Sequence, residues 1–255
     1  MKTLALAASQ VRYVNKGFWR NPARAFFTFV FPLMFLVIFT ALLGNDTITI
    51  GSVTVEQSTY YVAAMATFGV ISACYSNIAM ATAFQRDSGQ LKQVHGTPLP
   101  SSSFLVGRLV HAMAIGILLV IITAVFGRIA YEASIPTGIT LLEVIVMLVV
   151  GGATFCALGL AVSAAVPNAD AAPAVVNASI LPLLFLSGIF IPFGNDTPEW
   201  IRWVGRIFPV QHFAAGMQAG FLGTPFHWSD VLVVAVWGVV GLVLGIRFFS
   251  WEPRT

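Results

Sequence analysis

Six long apolar runs dominate the chain and predict membrane-spanning helices. They cover residues 26–44, 59–84, 104–129, 139–166, 174–193 and 231–249. A helix needs about 20 consecutive apolar residues to cross the hydrocarbon core of a bilayer, and each run has about that length or more. The pattern predicts an all-α integral membrane protein with six transmembrane helices, formed as a single domain over residues 1–255.

The segment before the first run has the spacing of an amphipathic helix. Within residues 1–24, apolar side chains recur at helical intervals, at Leu4, Ala8, Val11, Val14 and Phe18. Arg12 and Lys16 fall on other faces of the same helix. We expect this helix to lie in the membrane interface. Asn21 followed by Pro22 predicts the N-cap and the first residue of the first span.

The fifth run predicts a helix that stops abruptly and is followed by shorter ones. Pro173 and Pro182 predict a kink, and Ser187-Gly188 predicts a break. Residues 197–222 then contain two helix starts, at Thr197-Pro198 and at Pro209. Each following helix is too short to cross a bilayer. We therefore expect short re-entrant hairpin helices in the outer leaflet.

Small residues predict close helix packing in two of the runs. The fourth run has alanines at four-residue intervals, at Ala153, Ala157, Ala161 and Ala165, and the sixth has Gly241 and Gly245. Small side chains at this spacing allow two membrane helices to approach closely. We interpret both series as packing surfaces.

Composition and charge agree with a membrane protein and indicate its orientation. The chain is 58% hydrophobic and only 9% charged, against about 25% charged in soluble domains, which excludes a soluble globular enzyme. Basic residues concentrate before the first run, in residues 85–100 and after the last run, whereas Arg128, Arg202 and Arg206 fall on the other side. The positive-inside rule therefore predicts that both termini are cytoplasmic. A net charge of +3 is too small to indicate a nucleic-acid partner.

Motifs for several kinds of chemistry are missing from the sequence. It contains no phosphate-binding glycine-lysine loop and no Gly-x-Ser-x-Gly nucleophile motif. The histidines show no metal-binding spacing, and Cys74 and Cys156 both lie in apolar runs, where packing thiols are expected. We expect no catalytic residue, no metal and no cofactor bound by this chain.

Polar residues inside the spans are candidates for a substrate route. Ionisable groups in spans are functional candidates by default, and Glu143 is the main one, with either a structural or a substrate-related role. On the second span, a straight helix would place Thr67, Cys74, Tyr75 and Thr82 in one sector, with Asn77 at its edge. This face could line a pathway or could be ordinary polar packing, and the sequence leaves both open.

Residues 85–100 form a polar segment between the second and third spans. It runs from Arg86 to Gln93 and is bounded by Gly96, Pro98 and Pro100. It is too polar to be a span and longer than a turn requires. An exposed segment of this kind suits contact with another protein.

The sequence resembles the ABC-2 type transporter permeases, and in particular the daunorubicin- and multidrug-resistance-like branch of that family. The segment from Arg86 to Lys92, with Gly96-Thr97-Pro98-Leu99-Pro100 after it, is similar to the coupling helix of that family. Further similar motifs lie along the whole chain, at Arg20-Asn21-Pro22, at residues 181–188, at Ile191-Pro192, at Phe208-Pro209-Val210 and at the C-terminal Trp251-Glu252-Pro253-Arg254. Gln85 departs from the pattern, since the family often has an acidic residue there.

The resemblance implies a type V exporter fold and a set of partners. Two separate ATP-binding subunits would hold ATP and magnesium, and a second permease copy or homologue would complete the assembly in the lipids of a prokaryotic cell membrane. Contact with the ATPases would involve Arg86, Asp87, Gly89, Leu91, Lys92, Gln93, Thr97 and Pro98, together with Val11, Arg12, Lys16 and Phe18 of the interfacial helix. Leu91 would be an apolar knob for a groove on the ATPase, oriented by charge pairs of Arg86, Asp87 and Lys92.

The resemblance also implies a substrate route and a dimer contact. The second and fifth spans of two copies would enclose the route, so that Asn177, Leu181 and Phe185 join the second-span residues as candidates. The first and fifth spans would meet in the outer half, near Ser187-Gly188.

We expect ATP-driven export of an amphipathic drug-like or lipid-like molecule. A lipid-linked glycan is the alternative within the family, although Asn21 to Phe27 looks like the drug-exporter form. From other classes, an ion-coupled carrier would be expected to show repeated halves and deep charges. An intramembrane enzyme would need a catalytic constellation. The sequence shows neither.

Overall fold

The computed structural model describes residues 2–50, 53–193 and 197–252, with side chains described from residue 5 onward, and it is helical almost throughout. Pro253-Arg254 of the C-terminal motif lies outside the described residues. The helices are α1 Lys2–Trp19, α2 Pro22–Leu43, α3 Gln57–Ile71, α4 Asn77–Asp87, α5 Gln90–His95, α6 Ser101–Tyr131, α7 Ile139–Ser163, α8 Ala172–Phe185, α9 Glu199–Ile207, α10 Pro209–Leu222 and α11 Trp228–Phe248.

Within this part of the chain, five helices are long and apolar enough to cross a membrane. They are α2, the continuous helix Gln57–Asp87 that joins α3 to α4, α6, α7 and α11. The run predicted over residues 174–193 forms α8, an apolar helix of 14 residues. At 1.5 Å per residue it spans only about 21 Å. The mostly helical membrane architecture expected from the sequence is confirmed, with one helix shorter than predicted.

The fifth apolar run stops being helical at Phe185 because of local backbone chemistry. Pro182 lies inside α8 and lacks an N–H donor. Gly188 has φ +75°, a left-handed conformation that ends a helix readily. The chain then continues without regular structure to Phe193. The break expected at Ser187-Gly188 is present.

The first span begins where the sequence predicted. The Asn21 side-chain oxygen accepts a hydrogen bond from the Arg24 amide at 3.0 Å, and Pro22 is the first helical residue. Before it, α1 packs against α6 with Ala7 and Phe18 buried. Gly107 of α6 permits this packing, because a Cβ there would lie 2.5 Å from Gln10 Cβ. Ala8, placed on the apolar face from the sequence, is exposed.

A short β-hairpin, which the sequence analysis missed, separates the first two spans. Strand β1, Thr47–Ile50, pairs antiparallel with β2, Val53–Glu56, and Thr47 lies opposite Glu56. The strands alternate polar and apolar residues, which is the signal for half-buried strands.

The second span lies at the centre of the molecule. In its most apolar stretch 83% of the residues are buried, against 22% for α2 and 17% for α11. Between α3 and α4 it contains a π-helical segment, Ser72–Ser76, which we call the π segment. The other spans therefore pack around this helix, and α2 and α11 face outward.

Helices α7 and α11 make close backbone contact through small residues. A Cβ on Gly241 would lie 2.9 Å from the Leu158 backbone nitrogen, and a Cβ on Gly238 would lie 2.6 Å from Thr154 Oγ1. Thr154 also donates a hydrogen bond to the Val234 carbonyl at 3.0 Å. The packing surfaces predicted on these two runs therefore face each other.

We expect Gly241→Ala to destabilise the fold by about 1–3 kcal/mol, because overpacking a fitted contact forces the helices apart. Gly152→Ala is the matched control, since its Cβ would meet Met113 at an ordinary 3.6 Å. Thermal unfolding of the purified variants in detergent measures the difference. Equal melting temperatures for both variants would contradict the close contact.

Candidate functional site

The polar segment between the second and third spans forms a compact elbow, defined here as residues 85–100. α4 ends at Asp87 and α5 begins at Gln90. Gly89 between them has φ +71°, which lets the chain turn sharply. Lys92, Gln93, Thr97 and Pro98 are exposed on its outer side.

Arg86 is buried inside the protein, which corrects its expected role as a charge for the ATPase. Its side chain is 2% exposed. The guanidinium donates to the carbonyls of Ser163 at 3.0 Å and Val166 at 2.6 Å. Carbonyls at a helix C-terminus lack intrahelical donors and carry partial negative charge, so a cation there is favourable. Arg86 therefore caps α7 and ties α4 to it.

Asp87 extends this attachment to the turn between α7 and α8. One carboxylate oxygen accepts a hydrogen bond from the Ala169 amide, and the other lies 3.8 Å from the Arg86 guanidinium. We call Arg86 and Asp87 together the elbow clamp. The elbow is thereby joined to the C-terminal end of α7 and to the turn before α8.

Leu91 is also buried, so it cannot be the exposed apolar knob expected from the resemblance. Its side chain is fully buried, 0% exposed. Together with Tyr13 and Phe104 it lines a hollow of about 320 Å³ under the elbow. Leaving a leucine in water is unfavourable by about 1.5–3 kcal/mol, which explains why a short amphipathic helix turns it inward. Of the elbow residues predicted to contact the ATPase, Lys92, Gln93, Thr97 and Pro98 are exposed.

Lys92 is paired weakly. It lies 3.8 Å from Glu252, but both side chains are about two-thirds exposed or more, at 67% and 73%. Exposed pairs of this kind contribute little to stability. Lys92 is thus free to change partner.

A cluster of basic and amide side chains lies beside the elbow, where α1, α2, α4 and α6 meet. Arg24, Asn77, Gln85, Arg108 and His111 line one cavity of about 70 Å³, which we call the basic cavity. The Arg24 guanidinium donates to the Asn77 side-chain oxygen, and that of Arg108 donates to Gln85. Sequence reasoning had singled out Asn77 but not this cluster, because its members come from three separate helices.

An apolar groove runs along the outside of the second span from this cavity. Its lining includes Phe27, Phe31 and Phe68, with Arg24 and Asn77 at one end, and its volume is about 290 Å³. A second hollow of about 470 Å³ shares Arg24 and Asn77 and continues past Met80 and Phe84 to the elbow. A polar end and an aromatic wall thus lie side by side.

The polar sector predicted on the second span is divided by the π segment. Thr67 is buried, and its hydroxyl donates to the Ala63 carbonyl at 2.7 Å. The Cys74 side chain packs against α6, where a Cβ on Gly116 would lie 3.6 Å from the Cys74 sulfur. Asn77 instead faces Arg24. A π turn contains one residue more than an α turn. The side chains after it are therefore rotated about the helix axis by about 100° relative to their positions on a straight α-helix. Thr67 and Cys74 therefore lie in the packed interior, which is the second of the two alternatives that the sequence left open.

The other route candidates occupy different surroundings. The Tyr75 hydroxyl is 2.7 Å from Ser179 Oγ and so joins the second span to α8. On α8, Asn177, Leu181 and Phe185 are exposed on one face. Glu143 is half-buried on α7 and does not line the basic cavity.

A histidine pair fixes the hairpin helices at the opposite end of the molecule. His212 Nδ1 lies 2.6 Å from the Asp230 carboxylate, and Nε2 lies 2.9 Å from the Arg206 carbonyl. Both neighbours are acceptors, so the doubly protonated imidazolium satisfies both contacts. The hydrogen bond with Asp230 raises the pKa of His212, and burial opposes it. Sequence reasoning missed this pair, since its residues are 18 positions apart.

We expect Arg86→Met to lower stability by about 2 kcal/mol or more, because it leaves the α7 carbonyls without their charged donor. Arg20→Met is the control, since Arg20 is exposed at the end of α1. Thermal unfolding in detergent compares the two. A control that loses as much stability as Arg86→Met would refute the clamp.

We expect the protein to be more stable in mild acid through His212. A raised folded-state pKa means that this contribution is fully present below the ordinary value of about 6.5 and is lost as the pH rises through the raised pKa. His212→Gln and Asp230→Asn should both flatten the dependence of melting temperature on pH above 6.5. An unchanged pH slope in both variants would contradict the pairing.

Comparison with known proteins identifies relatives over most of the chain. The ABC-2 type transporter family model matches residues 8–222. The "Putative transport permease ycf38" of Porphyra purpurea is 23% identical over 226 residues, which are 88% of this chain and 76% of that protein. The "Putative transport permease YvfS" of Bacillus subtilis is 20% identical over 227 residues, 88% of this chain and 89% of its own.

A more partial match is the "Probable multidrug ABC transporter permease YbhR" of Escherichia coli, 27% identical over 135 residues, which are 53% of this chain and 36% of that protein. The family match extends from the interfacial helix to the end of α10 and includes the elbow and the basic cavity. The chain is a multi-pass membrane protein that belongs to the ABC-2 type transporter family of transport permeases.

Proposed function

We propose that this chain is the membrane subunit of an ATP-driven exporter and that separate ATP-hydrolysing subunits dock on the elbow. The observation that carries this is the elbow's construction: an exposed polar surface is held to the membrane core by the buried elbow clamp. A solvated loop would not need a buried arginine. ATP and magnesium would be bound by the partner, because this sequence has no phosphate-binding loop.

The mechanical route follows from the contacts of the clamp. Force on Lys92 and Gln93 reaches α4, which is continuous with the central second span. The same force reaches the ends of α7 and α8 through Arg86 and Asp87. α1 packs on α6 close to the elbow and would provide a second contact, in which Arg12 and Lys16 are exposed. Both inputs act on the helices that border the groove.

We propose that two copies, or this chain and a homologue, assemble around the substrate route. The outward faces of α2 and α8 are apolar, with Met34 and Leu42 on α2 and Leu181 and Phe185 on α8 exposed. Contact between copies through these helices would enclose Asn177 and the aromatic groove. The predominance of basic residues at the elbow end supports cytoplasmic termini in a prokaryotic cell membrane.

The proposed substrate is amphipathic, drug-like or lipid-like, and it moves outward. An aromatic wall beside a polar end suits such a molecule. The printed name of YbhR, a multidrug permease, supports the drug-like form and the multidrug branch. Export of a lipid-linked glycan is the alternative within the family. Membership of the family argues against the ion-coupled carrier.

The elbow is tested by blocking its exposed surface. Both native cysteines are buried, so Gln93→Cys introduces an accessible thiol. A bulky maleimide attached there should abolish copurification with the ATPase partner and the substrate-stimulated ATP hydrolysis. The reason is steric exclusion of the docking surface.

Ser134→Cys is the matched control. Ser134 is exposed at the opposite end of α6. The same maleimide on this site should leave copurification and hydrolysis unchanged. If labelled Gln93→Cys still bound the ATPase and supported stimulated hydrolysis, the elbow would not be the docking surface.

A further inference from the structure

Two guanidiniums and one imidazole converge on the basic cavity from two helices. Arg24 enters from α2, while Arg108 and His111 enter from α6. Arg108 is 6% exposed and His111 is 4% exposed. The Nε2 atom of His111 is buried without a hydrogen-bond partner among the described residues. The cavity thus contains an unused polar atom beside two guanidiniums.

No carboxylate from the part of the chain that the structure describes pairs with either arginine. Their side-chain hydrogen-bond partners are the neutral amide oxygens of Asn77 and Gln85. The Arg24 and Arg108 guanidiniums also lie 5.8 and 5.5 Å from the ring centroids of Phe18 and Phe104, which carry no net charge. These amides orient the guanidiniums and leave their charge uncompensated. Charges held in or near a membrane are normally paired with an opposite charge. An anion is the complementary partner for two such charges.

The size and surroundings of the cavity restrict that anion. A volume of about 70 Å³ exceeds the roughly 10–15 Å³ that one water needs, so a small anionic group fits. Arg24 and Asn77 also border the aromatic groove and the hollow that leads to the elbow. An anion in the cavity can therefore be joined to an apolar chain that lies against Phe27, Phe31 and Phe68.

We propose that the basic cavity binds the phosphate or carboxylate headgroup of an anionic amphiphile, whose apolar chain occupies the adjoining aromatic groove. Guanidiniums form paired, charge-assisted hydrogen bonds with both kinds of headgroup. A cationic amphiphile is repelled by the two guanidiniums. If the amphiphile is the transported substrate, this proposal rests on the proposed function. Binding of the amphiphile requires only this chain.

The sharpest variants convert an amide into an acid without changing its shape. Gln85→Glu and Asn77→Asp keep the oxygen that accepts from Arg108 or Arg24, and each adds the missing negative charge. A structural role predicts an intact or stronger contact. Anion binding predicts a loss of ligand, because the new carboxylate neutralises the arginine.

The experiment titrates the purified full chain with phosphatidylglycerol and with phosphatidylcholine of the same acyl chains, followed by native mass spectrometry. We expect the wild type to prefer the anionic lipid about tenfold, the effect of one charge-assisted contact. Gln85→Glu and Asn77→Asp should each remove most of that preference.

Asn15→Asp is the matched control. Asn15 is exposed on α1, does not line the cavity, and accepts a hydrogen bond from Trp19 that an aspartate retains. It adds the same charge near the same end of the protein and should keep the wild-type preference. If either acid variant aggregates, Arg24→Gln replaces it, since Arg24 is exposed at the edge of the cavity.

Vesicles that contain this protein and its ATPase partner distinguish a transported lipid from a resident lipid. A fluorescent phosphatidylglycerol that changes leaflet with ATP identifies a transported substrate, and one that binds without moving identifies a resident lipid. Both outcomes support the site. An unchanged lipid preference in both acid variants would overturn it, as would an equal loss in Asn15→Asp. Failure of the ATPase to dock would affect only the movement, so the two proposals fail separately.

Discussion

Close backbone contact around the second span is the constraint on which the rest of this structure depends. Apolar side chains gain little by leaving lipid for protein, so membrane helices associate through tight packing and hydrogen bonds. A Cβ on Gly127 would lie 2.2 Å from Val62, and a Cβ on Gly159 would lie 2.5 Å from the Tyr75 carbonyl oxygen. Glycine at these positions allows α6 and α7 to enclose the second span. The burial of the second span follows from these contacts.

The π segment adapts this enclosed helix to two tasks. Before it, the side chains of α3 serve packing, as Thr67 shows by bonding its own helix. Within it, Tyr75 reaches α8. After it, the rotated face points Asn77 toward Arg24 and the groove. One additional residue in a turn therefore gives the two halves of this continuous helix differently directed faces.

Sequence reasoning succeeded where the signal is local and failed where distant segments meet. The spans, the Asn21 cap and the break at Gly188 follow from hydrophobic period and from proline and glycine chemistry, which act within a few residues. Arg86 and Leu91 look like surface residues in a polar segment. Only the fold brings the C-terminus of α7 to Arg86 and the hollow beside Tyr13 to Leu91. Sequence reasoning also missed the cluster of Arg24 with Arg108, because these residues are distant in the sequence and meet only in the fold.

The elbow and the basic cavity share α4, which joins the proposed docking surface to the proposed anion site. Gln85, which orients Arg108, is the residue immediately before Arg86 of the elbow clamp. A movement of α4 that shifts the clamp must also shift Gln85 relative to Arg108 on α6. An anion held by Arg108 then favours whichever position of α4 keeps the guanidinium oriented. By reciprocity, a partner that stabilises one position of the elbow changes the affinity of the cavity by the same factor.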